Sequence, residues 1–221
     1  MRHPLRAAYE RLYARFGPQS WWPARSPFEV MVGAILTQNT NWGNVEKAIG
    51  RLRKKRALTP AALYRLRPRA LAALIRPAGY YNIKAARLRN FTRFYLDEFG
   101  GSAARMARAE TASLRERLLA VNGIGEETAD SILLYALGKP VFVVDAYTRR
   151  IFSRHGFFPA DSGYARIQSA FTMALGSRAR LFNEYHALIV RLAKECCRKT
   201  GPKCAQCPLG RSSFPFPAVL L

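Results

Sequence analysis

Leu118-Leu119-Ala120-Val121-Asn122-Gly123-Ile124-Gly125-Glu126-Glu127-Thr128-Ala129 is the stretch from which the fold is read. A helical segment ends, two glycines one residue apart permit a tight turn, and a second helical segment begins. A helix that starts this way aims unpaired backbone N–H groups and the positive end of its dipole outward, so it can hold one phosphate without reading bases. On its own a Gly-x-Gly between helices is a weak signal, because glycine often does no more than terminate a helix. Its surroundings give it weight.

Twenty residues past Gly125 comes Val141-Phe142-Val143-Val144-Asp145, an apolar run ending in the only acid between Asp130 and Asp161. An aspartate at a helix start usually reads as an N-cap. This chain, however, has 36 Lys+Arg against 14 Asp+Glu in 221 residues, a net charge of +22. DNA beside the hairpin would repel an isolated carboxylate, so a catalytic role for Asp145 is the better reading. Arginine outnumbers lysine, which base composition alone can produce, but base composition does not make acids scarce. A self-repelling surface is best tolerated when a polyanion is the partner, and nucleic acid is preferred to an anionic membrane surface. The run Arg51, Arg53, Lys54, Lys55 and Arg56 is either a phosphate-facing patch or a solvated turn, and decides nothing alone.

The rest of the chain is helical in pattern. Helices are predicted at about 4–16, 27–37, 43–54, 60–66, 69–75, 82–98, 111–120, 126–136, 145–154, 163–173 and 180–194, separated by glycine and proline punctuation, with no strand alternation. The fold class is therefore all-α. No apolar run approaches the ~18 to 20 residues of a bilayer span, and no signal-peptide core opens the chain, so a cytoplasmic, nucleoid-associated protein is expected. The tail Phe214-Pro215-Phe216-Pro217 cannot continue a helix.

Two residue types cluster. All four cysteines, Cys196, Cys197, Cys204 and Cys207, lie within twelve residues. That bunching favours a four-thiolate metal site, with a [4Fe–4S] cluster preferred and zinc or no metal as the alternatives. The tryptophans sit at Trp21-Trp22-Pro23 and at Trp42. They are ordinary core residues or the wall of a pocket, and indoles attract a cationic ring by roughly 1 to 2 kcal/mol once desolvated. His186, in Asn183-Glu184-Tyr185-His186, reads as a hydrogen-bonded core histidine, and His155 as a turn residue.

Taken together, Gly123-Ile124-Gly125, the Val144-Asp145 that follows and the terminal cysteine cluster resemble the helix-hairpin-helix DNA glycosylases of the endonuclease III superfamily. Leu36-Thr37-Gln38-Asn39-Thr40-Asn41 is similar to that family's loop whose glutamine fills the gap left by a flipped nucleotide. Gly79-Tyr80-Tyr81-Asn82-Ile83-Lys84-Ala85 is similar to its helix-entry motif, and Cys197-x6-Cys204-x2-Cys207 resembles its iron-sulfur loop. The resemblance implies a two-lobed fold. Residues 27–140 would form a six-helix lobe carrying the hairpin, and residues 1–26 and 141–221 a discontinuous lobe with the cysteine loop. A monomer would hold double-stranded DNA containing a damaged base across the cleft between them. Gln38, Asn39, Lys84, Gly123, Gly125 and Thr128 are the implied DNA-binding residues and Asp145 the catalytic one.

Three departures refine the expectation. Bifunctional members carry a lysine nucleophile in the hairpin's second helix, where this chain has Glu127. A carboxylate cannot form a Schiff base, so the resemblance implies a monofunctional enzyme that hydrolyses the N-glycosidic bond of an extruded nucleotide, unless another lysine such as Lys194 reaches the sugar. The family's fourth cysteine position falls on Ser213, leaving Cys196 as the substitute ligand. Trp21-Trp22-Pro23 paired with Trp42 resembles the MagIII group of 3-methyladenine glycosylases, which implies Trp21, Trp22, Pro23, Trp42 and Glu127 as base-pocket residues. The alternatives are a glycosylase for oxidised pyrimidines or mismatched bases, and a non-catalytic DNA-binding homologue.

Overall fold

Proline and small polar caps start most of the helices. A computed structural model describes residues 3–19 and 21–210, and among them every regular element is helical. Proline opens α1 (Pro4–Phe16), α2 (Pro27–Leu36), α4 (Pro60–Arg65) and α5 (Pro68–Ile75), where its missing N–H costs nothing. Ser26 and Thr59 cap α2 and α4 by accepting from the Glu29 and Ala62 amides, and Asn41 does the same for α3 (Trp42–Lys54). The chain continues through α6 (Tyr81–Phe99), α7 (Ala103–Arg108), α8 (Thr111–Leu119), α9 (Glu126–Ser131), α10 (Ala146–Arg154), α11 (Tyr164–Leu175) and α12 (Ala179–Glu195). Among the described residues, no helix is long and apolar enough to cross a membrane.

The described residues fall into two compact units, one running from Trp22 to Lys139 and the other built from the residues up to Trp21 and from Pro140 onward. In the first, α6 packs against α2, α4 and α5. Its core includes Leu63, Leu71, Ile75 and Leu88 and the ring stack Phe28, Tyr95 and Phe91, with centroids 5.8 and 5.9 Å apart. In the second, α12 packs against α1 and α10 around Phe142, Phe152, Phe171 and Tyr185. Phe142 lies flat on Phe171 at 4.0 Å, and Phe152 meets Phe171 edge-on at 4.9 Å. The Tyr185 hydroxyl donates to the Leu5 carbonyl at 2.8 Å, which ties α12 to α1.

Two elements differ from the sequence reading. The six-residue α7 carries one buried apolar side chain, Met106, and is started by the Ser102 cap, so it is too short to show a period. The helix expected over 126–136 is not uniform: α9 ends at Ser131 and Ile132–Ala136 is a π turn. Such a turn adds a residue to the helical ladder and re-aims the side chains after it.

Candidate functional site

Gly123 has φ +94°, a conformation glycine adopts without strain. A β-carbon there would also fall 2.2 Å from Cγ of Arg87, so the α8–α9 turn is closed over that arginine's stem. Gly125 differs. Its backbone is extended (φ −97°, ψ 179°) and the space beside it is open, so the fold does not require a glycine there. The missing side chain leaves room for a ligand to approach the start of α9. Glu126 and Glu127 are both exposed in that first turn, where carboxylates suit the helix dipole.

Gln38 is tied to this turn. Its Nε2 donates to the Gly123 carbonyl (3.1 Å) and the Thr128 hydroxyl (2.9 Å), and its Oε1 accepts from Arg87 Nη1 at 2.5 Å. The Thr128 side chain is buried and its hydroxyl holds Gln38, so in this structure it braces the loop implied to touch DNA. Asn39 is exposed with φ +52°. Lys84 is 1% exposed, and its ammonium donates to the carbonyls of Leu36 and Ala78, both at 2.8 Å. Burial, with Arg87 nearby, lowers its pKa to about 8. It pins the end of α2 to the turn before α6.

In the same unit, Trp22 stands edge-on to Trp42 at 5.0 Å and tilted against Tyr135 at 5.1 Å. Gly33 on α2 makes room, since a β-carbon there would lie 3.2 Å from the Trp22 ring. The sequence reading does not contain Tyr135, which lies in the π turn. Trp21 belongs to the other unit, where the Lys194 ammonium sits 5.9 Å from its ring centroid. Pro23 is exposed. The aromatic set brought together is thus Trp22, Trp42 and Tyr135.

Asp145 caps α10. One carboxylate oxygen, Oδ1, accepts from the Thr148 amide (2.7 Å) and hydroxyl (2.8 Å), while Oδ2 lies 3.5 Å from His186 Nε2. Burial by itself would raise this carboxyl, but His186 and the Thr148 hydrogen bonds outweigh it and hold the pKa below the ordinary value. A carboxylate kept ionised in a buried setting can stabilise developing positive charge. The N-cap reading therefore holds geometrically, with His186 added. Thr148 has a signal in the Asp-x-x-Thr spacing, whereas nothing in the sequence marks His186 as a neighbour of Asp145.

The cysteine loop is fastened by arginines of α10. Arg150 donates to the Cys197 carbonyl through Nε (3.0 Å) and Nη2 (2.8 Å), and Arg154 to the carbonyls of Arg198 (2.7 Å) and Lys199 (2.9 Å). Cys196 and Cys197 are buried, Cys207 half-buried and Cys204 exposed. Burial, reinforced by the other three cysteines, pushes the Cys207 thiol up to about 11. Among the described residues, no three His, Cys, Asp or Glu side chains stand together closely enough to hold a metal ion. In number and kind these donors suit a [4Fe–4S] cluster, but as the loop lies they do not form the expected ligand set. Ser213 lies outside the described residues.

A glycine-turned hairpin inside one helical unit, followed in sequence by a buried aspartate capping a helix of the next, defines a helix-hairpin-helix protein of the DNA-handling class. The model of the HhH-GPD superfamily of base excision DNA repair proteins matches residues 32–175. A Methanocaldococcus jannaschii protein provisionally named a DNA repair glycosylase is 47% identical over 203 residues, covering 91% of each chain. Endonuclease III of Thermotoga maritima is 28% identical over 82% of this chain and 79% of its own. Among solved structures, the Helicobacter pylori 3-methyladenine DNA glycosylase MagIII bound to 1,N6-ethenoadenine superposes with a TM-score of 0.76 at 28% identity, covering 87% of this chain and 98% of that one. The chain belongs to the HhH-GPD superfamily, and it is a base excision DNA repair glycosylase.

Proposed function

We propose that this glycosylase is monofunctional and releases an alkylated, cationic purine such as 3-methyladenine from double-stranded DNA by hydrolysis. The observation that carries this reading is the set of indoles and phenol at Trp22, Trp42 and Tyr135, suited to a positively charged ring. The similarity to a solved 3-methyladenine glycosylase supports it. Glu127, exposed at the start of α9 where the resemblance implies a lyase lysine, offers no amine for a Schiff base. Asp145 acts through charge: the carboxylate stabilises the oxocarbenium sugar as the C–N bond breaks, water adds to the anomeric carbon, and the neutral base departs.

The test is release of bases from methylated, oxidised and mismatched duplexes, scored for strand breaks before and after alkali and for adducts trapped with borohydride. Release of 3-methyladenine with breaks only after alkali and no trapped adduct supports the reading. A trapped adduct overturns the monofunctional assignment, and preferential release of oxidised pyrimidines or mismatched bases overturns the substrate. If no base is released but salt-sensitive duplex binding persists, the non-catalytic reading replaces both. A [4Fe–4S] cluster in the cysteine loop would be held by Cys196, Cys197, Cys204 and Cys207 and would shape that loop rather than take part in base release. A visible absorption band near ~400 nm in iron-containing protein would mark that arrangement, whereas zinc would bind without colour.

A further inference from the structure

Asp145 is held from two directions. Its own helix supplies the Thr148 amide and hydroxyl to Oδ1, which fixes one edge of the carboxylate. The other edge faces α12, where His186 Nε2 stands 3.5 Å from Oδ2. Both residues lie in the interior, Asp145 at 8% and His186 at 6% exposure, and α10 and α12 pack directly against each other. An imidazole placed there does more than fill the core, because it meets the oxygen that Thr148 leaves unheld.

We propose that His186 is the positioning residue for Asp145: delivered by α12, its imidazole fixes the second carboxylate oxygen and keeps the group in its ionised form for base release. This rests on the reading of Asp145 as the charge-stabilising group. The other titratable groups on these packed faces have partners of their own. Glu184 accepts the Gln19 amide at 2.7 Å, and Tyr9 of α1 meets Tyr185 edge-on. On α10, Arg149 donates to the Ser162 carbonyl and Arg150 to that of Cys197. Burial raises the Asp145 carboxyl, and the interactions that lower it come from His186 and Thr148. The acid limb of the pH–rate profile then follows the Asp145 carboxyl as His186 and Thr148 hold it.

The experiment compares full-length wild type, His186→Gln and His186→Ala for release of 3-methyladenine from dimethyl-sulfate-treated duplex across pH. Removing the imidazole is expected to lower the maximal rate on the order of 10- to 100-fold, the cost of misplacing a reacting group, with KM for the duplex unchanged. It should also move the acid limb to higher pH. His186→Gln, which still offers an N–H, should recover part of the rate while keeping the displaced limb. A limb that stays at its wild-type position in both variants overturns the proposal, whatever the rates. Circular dichroism establishes that the variants fold. If they do not, NMR of wild type decides: protonating the Asp145 carboxyl, expected below the ordinary aspartate range, should move the His186 ring signals, and ring signals that do not respond overturn the idea. The NMR readout also survives a wild type that releases no base, an outcome that would sink the proposed function and not this contact.

Discussion

Asp130 and Asp145 are both buried aspartates, yet they are held by different kinds of partner. Asp130, on α9 in the hairpin-bearing unit, is 0% exposed and faces a two-pronged Arg115, with Nε at 2.7 Å and Nη2 at 3.1 Å. Asp145, in the other unit, is gripped by an amide, a hydroxyl and an imidazole at 3.5 Å. A bidentate guanidinium neutralises a carboxylate at close range. At Asp145 the partners are split instead: Thr148 holds Oδ1, and the His186 imidazole stands 3.5 Å from Oδ2. Burial alone therefore does not identify a working acid; what fills the space around each oxygen does.

The largest expected effect lies on the catalytic side. With Asp145→Asn, single-turnover release falls on the order of 10²- to 10³-fold, and duplex affinity measured by fluorescence anisotropy holds. The contrast breaks if Asp145→Asn keeps full activity. Asp130→Ala should do the reverse: it removes the buried carboxylate that receives the Arg115 fork, leaving that guanidinium with Glu126 at 3.7 Å, and should cost about 1–3 kcal/mol of stability, read from the urea midpoint, while the protein that remains folded keeps its rate of base release. Gly123→Ala forces a β-carbon into the Arg87 stem at φ +94° and should cost about 1–3 kcal/mol, with Gln38 losing its seat and duplex binding weakening.

Two pH effects sharpen the comparison further. Because the Asp145 carboxyl is held below its ordinary pKa, its stabilising contribution is present above the usual aspartate range and is lost as pH falls through the folded value. Asp145→Asn should remove that part of the acid sensitivity. The buried cation Lys84, lowered to about 8, gives the smallest effect, with the mirror sign. The folded state gives up its proton before the unfolded chain does, so stability should rise with pH between about 8 and the normal 10.5. Denaturation of wild type and Lys84→Met across that window should show the rise only in wild type.

Helix starts were legible because proline, serine, threonine and asparagine mark them locally, as at Pro27 after Ser26 and Pro60 after Thr59. The π turn after Ser131 was not, since an inserted residue alters aim without altering apolar pattern, and Tyr135 went unread with it. In the candidate site, Asp145 stood out as a lone acid ending an apolar run, but its partner comes from a helix far along the chain. Lys84 shows the converse. It stands in a motif that the resemblance links to DNA binding, and its ammonium turns inward to two carbonyls. Residue type gives the chemistry available, and only packing decides which way it faces.

The nine-residue α10 joins two features usually considered apart. Asp145 caps its first turn, and Arg150 and Arg154 grip the main chain at Cys197, Arg198 and Lys199 from farther along. Helix and thiol-bearing segment thus make one mechanical piece, so refolding that segment by oxidation or metal uptake has to be accommodated at the arginine clasp. Spectroscopic probes at the aspartate would then register events among the sulfurs, although the two share no direct bond.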